Sequence, residues 1–201
     1  MRPLTALRQR GDVPFVRLFF SVPLSDKARI AAAAALRAMK RTAGEEEPLS
    51  WTREEQLHFT IAFLGEQLEE ALPRLRAAAE PCAGLCAFDL ELRGAGAFPN
   101  PRRPRVLWLG VGKGAQQLEQ LAGRLCTELR DGGFALEEKP FRGHLTAARV
   151  RPGGERSASR ALQAVPAGAI AEFKVERLCL MQSQLSPHGA KHALVHEIHL
   201  S

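Results

Sequence analysis

The sequence predicts an α+β fold of two pseudo-symmetric lobes, each a mainly antiparallel sheet with helices outside, facing each other across a central cleft. Three observations carry that prediction. Strand-like and helix-like stretches recur in the same order in each half of the 201-residue chain. The triplet His-x-Thr occurs twice, at His58–Thr60 and His144–Thr146. Between the halves the pattern is broken by "PNPRRPR" (99–105), whose prolines continue neither helix nor strand.

The elements follow in order. "VRLFFSVPL" (16–24) is rich in branched and aromatic residues and reads as a strand. "SDKARIAAAAALRAMK" (25–40) opens on Ser and Asp and runs into alanines, which predicts a helix. After the polar break "RTAGEEEPLS" comes the strand "LHFTIAFLG" (57–65), then a helix over "EQLEEALPRLRAAAE" (66–80), with Leu68, Leu72 and Leu75 at helical spacing. "AFDLELRGAGAF" (87–98) alternates as a strand does. Beyond the Arg-Pro stretch, "RVLWLGV" is a strand, "AQQLEQLAGRLCTELRDGG" an amphipathic helix with a glycine stop, and "FRGHLTAARV" (141–150) a strand carrying the second motif. "EFKVERLCLMQSQL" and "HALVHEIHL" close the chain as strands. The domain reading is a flexible leader over 1–14 and a single bilobal unit over 15–201, its halves meeting near 99–105.

Composition narrows the function class. An apolar share of 45% is ordinary for a soluble globular protein. No stretch approaches the roughly eighteen uninterrupted apolar residues of a membrane helix, and the N-terminus lacks a signal peptide's apolar run, so a cytoplasmic protein without membrane attachment is expected. In that setting Cys82, Cys86, Cys126 and Cys179 read as reduced packing thiols. A formal charge of +6 favours an anionic partner without identifying it.

The two triplets carry the chemistry. Side chains alternate along a strand, so His58 and Thr60 share one face while Leu57, Phe59, Ile61 and Phe63 take the other. His144 and Thr146 repeat the arrangement against Leu145 and Ala147. With six His and six Thr in the chain, chance supplies only about 0.2 such triplets, and two in equivalent strands outline an internal duplication. Histidine, with an unperturbed pKa near about 6.5, suits general acid–base chemistry, one ring serving as base and the other as acid. Threonine hydroxyls beside them are hydrogen-bond donors on the same face.

On these residues the chain resembles the 2H phosphoesterases, and within them the bacterial RNA 2′,3′-cyclic phosphodiesterases, also described as 2′-5′ RNA ligases. The matching pieces are "RLFFSVPL", "LHFTIAFLG", "GAFPNPRRPRVLWLGV", "PFRGHLTAARV" and "SQLSPHGAKHALVHEIHL". Two positions depart from the family pattern: Gly143 stands where Pro usually precedes the second His, and His192 where Tyr is common.

The resemblance implies hydrolysis of a terminal RNA 2′,3′-cyclic phosphate to a 2′-phosphomonoester, without metal or other cofactor, by a monomer whose partner is RNA or an oligonucleotide. It also implies His144 as proton acceptor and His58 as proton donor, with Thr60 and Thr146 beside them. Substrate-binding candidates are Arg17 and Phe19, which share a parity on the first strand, and Arg149, although strict alternation turns Arg149 away unless the strand bends. Arg102, Arg103 and Arg105 are candidates for an RNA backbone or for plain solvation. His188, His192 and His196 have the i, i+4 spacing of helical metal ligands, but the alternation in "HALVHEIHL" favours a strand and no metal site. Trp51 and Trp108 are left as core or cleft wall. The rival readings are 2′-5′ ligation, a small cyclic-nucleotide phosphodiesterase on the same site, and a non-catalytic RNA-end binding module.

Overall fold

Ten strands and four helices position the two motifs in the computed structural model, which describes residues 8–10, 13–44, 48–186 and 189–201. In chain order they are β1 (Arg8–Arg10), β2 (Val13–Pro23), α1 (Asp26–Ala43), β3 (Leu49–Trp51), β4 (His58–Leu68), α2 (Leu72–Ala79), β5 (Phe88–Phe98), β6 (Val106–Val111), α3 (Ala115–Asp131), β7 (Leu145–Val150), α4 (Glu155–Gln163), β8 (Ala169–Val175), β9 (Arg177–Ser186) and β10 (Gly189–His199). Local chemistry sets their ends. Ser25 caps α1 by accepting from the Ala28 amide at 3.3 Å, Asp26 favours its positive end, and Lys40 and Arg41 its negative end. Pro73 falls in the first turn of α2, where its missing N–H costs nothing.

The sheet is antiparallel, in the order β10-β9-β2-β4-β7-β6-β5-β8, with β1 added to β2 and β3 to β7. It falls into two halves. One holds β10, β9, β2 and β4, the other β7, β6, β5 and β8, and the seam is a single residue pair, Phe59 opposite Leu145. Both are fully buried, and cutting Phe59 to alanine is expected to cost about 3–5 kcal/mol of stability. The apolar face of the whole sheet is covered by the helices, α1 lying on β8 and α4 while α3 lies on α2 and β4. Each of these two long helices therefore backs the half of the sheet that does not contain the strand leading into it.

Several expectations change. The 99–105 stretch is not a seam but the loop of the β5–β6 hairpin, with Phe98 paired to Val106, and it lies wholly in the second half of the sheet. The stretch read as one strand over 172–185 is two: β8 ends at Val175 beside β5, β9 begins at Arg177 beside β2, and the chain changes lobe at Glu176. Each lobe thus contains strands from both halves of the chain. The helix read over 66–80 begins only at Leu72, because β4 continues to Leu68 in its pairing with β2. Of the leader, Arg8–Arg10 pairs with β2, while 1–7 and 11–12 lie outside the described residues.

Candidate active site

The seam between the lobes gathers the motif residues. Phe59 and Leu145 point into the core, so their chain neighbours point the other way, into the cleft. Extending the antiparallel register by one residue sets His58 beside Thr146 and Thr60 beside His144. The four side chains stand around a local two-fold axis through that buried pair. His144 itself precedes the assigned start of β7, one residue short of the strand expected for it.

One device orients both imidazoles. His58 Nδ1 lies 2.7 Å from the Gln56 carbonyl, and His144 Nδ1 lies 2.7 Å from the Arg142 carbonyl. A carbonyl only accepts, so each Nδ1 carries a proton and donates it, and each Nε2 is left to act. His58 Nε2 sits 3.2 Å from the Thr60 hydroxyl, which donates to it when the ring is neutral. Gln56 is itself anchored, its side-chain amide donating to the Ala190 carbonyl of β10.

A bulge follows the motif in each lobe. In β4 the register with β2 slips between Ala62 and Thr60, leaving Ile61 extra; in β7 the register with β6 slips between Ala148 and Thr146, leaving Ala147 extra. Consecutive residues are then buried together, Ile61 with Ala62 and Ala147 with Ala148, and the alternation reverses. Arg149 comes back to the side of Thr146, where it is exposed. The same step corrects the expected placement of Phe63, which lies not on the buried face but toward the cleft, 41% exposed, with the Arg17 guanidinium 4.9 Å from its ring centre. Phe63 and Arg149 are counterparts, each five residues after its histidine.

Aromatic rings back both histidines. Phe19 is only 3% exposed and stacks on His58 with ring centres 5.0 Å apart, while His192 meets Phe19 edge-on at 4.9 Å. Phe19 thus reaches the site as the support of His58, its faces already covered. Phe98 does the corresponding work in the second lobe, its ring edge-on to His144 at 4.9 Å and against Trp108 at 5.3 Å. Trp108 pairs with Gly96 and with Thr146, so its indole lies on the cleft side; a Cβ on Gly96 would collide with it, and only glycine admits the ring. Sequence reading left Phe98 and Trp108 off the site, although the glycines of "RGAGAF" hinted at a flat neighbour. Gly143 also marks a close approach, since a Cβ there would be 2.8 Å from Leu118 of α3.

The electrostatics of His58 follow from this packing. Burial disfavours its charged form and is the main cause of a pKa lowered to about 4; the Gln56 carbonyl opposes the shift, and the positive charges of His192 and His144 add to it. His192, whose ring centre is 5.4 Å from that of His58, is lowered by burial too, and its Nδ1 is buried without a partner among the described residues. Beside these two rings opens a pocket of about 250 Å³ lined by Ser21, Gln56, Met181 and Leu194.

The remaining histidines diverge along β10. His196 Nε2 faces Glu80 at 3.6 Å and His199 Nε2 faces Glu197 at 3.0 Å, while His188 lies outside the described residues. All four cysteines are free thiols. Among the described residues no helix is long and apolar enough to cross a membrane.

This arrangement has known relatives. The chain belongs to the 2′-5′ RNA ligase superfamily, whose family model matches residues 22–186. An RNA 2′,3′-cyclic phosphodiesterase of Archaeoglobus fulgidus is 34% identical over 176 residues, which are 87% of this chain and 94% of that protein. A crystal structure from Thermus thermophilus superposes with a TM-score of 0.76 at 30% identity, covering 92% of this chain and 97% of that one. Escherichia coli LigT, crystallised with 3′-AMP, superposes with a TM-score of 0.72 at 25% identity, covering 93% and 99%.

Proposed function

We propose that the protein hydrolyses the terminal 2′,3′-cyclic phosphate of RNA to a 2′-phosphomonoester by two-histidine acid–base catalysis. The observation that carries this reading is the pair of imidazoles on either side of one buried residue pair, each fixed in the same tautomer by the carbonyl two residues before it. Cyclic phosphodiesterase activity in relatives at about this level of similarity supports it.

In the proposed mechanism the phosphate lies over the Phe59–Leu145 seam. His144 Nε2 takes a proton from water, which attacks phosphorus, and His58 Nε2 gives a proton to the departing 3′-oxygen. Thr60 and Thr146 donate to the non-bridging oxygens as charge builds there. Arg149 and Arg17 hold the anion and Phe19 holds His58. The scheme calls on no cofactor: His58 supplies the leaving group's proton, His144 takes the water's, and the chain's hydroxyls and guanidinium groups hold the anion. His58 must be protonated to act as donor. Its low pKa in the free protein is offset once the phosphate dianion-like transition state, or the bound monoanion, stands beside it.

That low pKa favours a second assignment, in which neutral His58 is the base and His144 the acid. A diester with an aryl leaving group separates the two, because such a group departs without a proton. The variant lacking the acid regains activity on the aryl diester and the variant lacking the base does not. Rescue of His58→Ala supports the first assignment, and rescue of His144→Ala the second. Near-normal turnover of cyclic-phosphate RNA by either variant ends the mechanism.

The protein is further read as a cytoplasmic monomer made of one bilobal domain over 15–201, with 1–14 as a leader. Light scattering tests the monomer, and limited proteolysis tests the domain, which is expected to lose at most the leader.

A further inference from the structure

Positive charge gathers on the second-lobe wall of the cleft. On the second lobe the stretches that carry the site's residues, 98–108 and 142–149, contain no Asp or Glu. Arg102, Arg103, Arg142 and Arg149, all exposed, make no ion pair or side-chain hydrogen bond among the described residues.

These guanidinium groups are placed by the site's own framework. Arg102 and Arg103 sit at the tip of the β5–β6 loop, where the Asn100 side-chain oxygen accepts from both their amides at 3.0 and 3.1 Å and fixes the turn. That loop leaves β5 at Phe98, the ring that touches His144. Arg142 supplies the carbonyl that orients His144, and Arg149 follows the β7 bulge onto the face of Thr146. Between the loop and β7 lie the half-buried rings of Phe98 and Trp108. Unpaired arginines around aromatic rings, on one side of a cleft, fit a single polynucleotide strand.

We infer that the second lobe, through Arg102 and Arg103 at the β5–β6 loop, carries a track for the RNA backbone upstream of the cyclic end. The inference rests on the function proposed above and makes the substrate a polynucleotide end rather than a free cyclic nucleotide. Phosphates beyond the terminal residue lie against the loop, and the terminal residue alone fills the histidine site.

The test compares a 2′,3′-cyclic mononucleotide with a single-stranded RNA of roughly ten nucleotides ending in the same cyclic phosphate, within the span such grooves cover. Wild-type protein and the R102A/R103A variant are each assayed on both across a salt series. The variant is expected to raise KM for the RNA about tenfold with little change in kcat, to leave the mononucleotide untouched, and to flatten the salt dependence on RNA by about 1.4 in log–log slope, the share of two phosphate contacts on a single strand. R102K/R103K is expected to restore most of the slope. Equal loss on both substrates, or an unchanged KM and slope on RNA, overturns the track. Failure of the wild-type protein to open either cyclic phosphate would instead overturn the proposed function, so the two failures are told apart.

Discussion

His58 and His144 occupy equivalent positions in equivalent strands, yet their surroundings are unlike. His58 is sandwiched in the first lobe with Phe19 against its face and His192 nearby, and burial holds its pKa at about 4. His144 stands just outside the start of β7, touched edge-on by Phe98 and neighboured by unpaired arginines. A duplicated backbone device, a ring donating to the carbonyl two residues before it, has thus been set in two different environments. Two identical groups are given different tasks when their environments separate their proton affinities.

Four predictions break or sharpen that comparison. The largest effect is expected from the histidines themselves: His58→Ala and His144→Ala each lower kcat on cyclic-phosphate RNA by about 10²–10⁴-fold. The double variant falls little further, because the pair acts as a unit. Additive losses in steady-state assays would show two independent sites. Next come the hydroxyls, where Thr60→Val and Thr146→Val are each expected to cost about 10²-fold in kcat. Only Thr60→Val is expected to shift the pH profile as well, because Thr60 is hydrogen-bonded to His58 Nε2.

Removing the guanidinium of Arg149, as Arg149→Gln, is expected to raise KM about tenfold, the loss of one charge-assisted hydrogen bond of about 1.5 kcal/mol. The smallest effect concerns acidity. The profile of kcat/KM is expected to be bell-shaped, with one limb set by each imidazole: His58 sets the alkaline limb if it is the donor and the acid limb if it is the base. His192→Phe keeps the burial that chiefly lowers His58 and removes the smaller contribution of the His192 charge, so the limb that His58 sets is expected to move up slightly. Stability follows the same group. Between pH of about 6.5 and about 4 an unfolded His58 binds a proton that the folded one refuses, so unfolding takes up protons and stability falls as pH drops through that window. Thermal melts over the window are expected to show a shallower fall in His58→Ala.

The motif pairs were legible in the sequence because their argument needs only two-residue parity, which holds over the three residues of each triplet. What lay beyond the triplets depended on partners. Phe63 and Arg149 follow bulges whose positions are set by how β4 pairs with β2 and β7 with β6, and a parity count along one strand carries no information about its neighbour's register. The matched spacing of Phe63 and Arg149 from their histidines was visible, but its meaning was not. Phe98 and Trp108 were likewise readable as strand residues; that they reach His144 and Thr146 follows from β6 and β5 lying beside β7, a tertiary fact. Order along the chain also suggested that each half builds its own lobe, and the one-residue passage at Glu176 hides inside what reads as continuous β sequence.

That passage means that the two lobes are laced together rather than set side by side. β5 crosses into the second lobe before the chain's midpoint, and β9 and β10 return to the first at its end. A tryptic nick at the Arg102–Arg103 tip would therefore leave neither fragment owning a whole lobe, and the two pieces are expected to stay clasped until denatured.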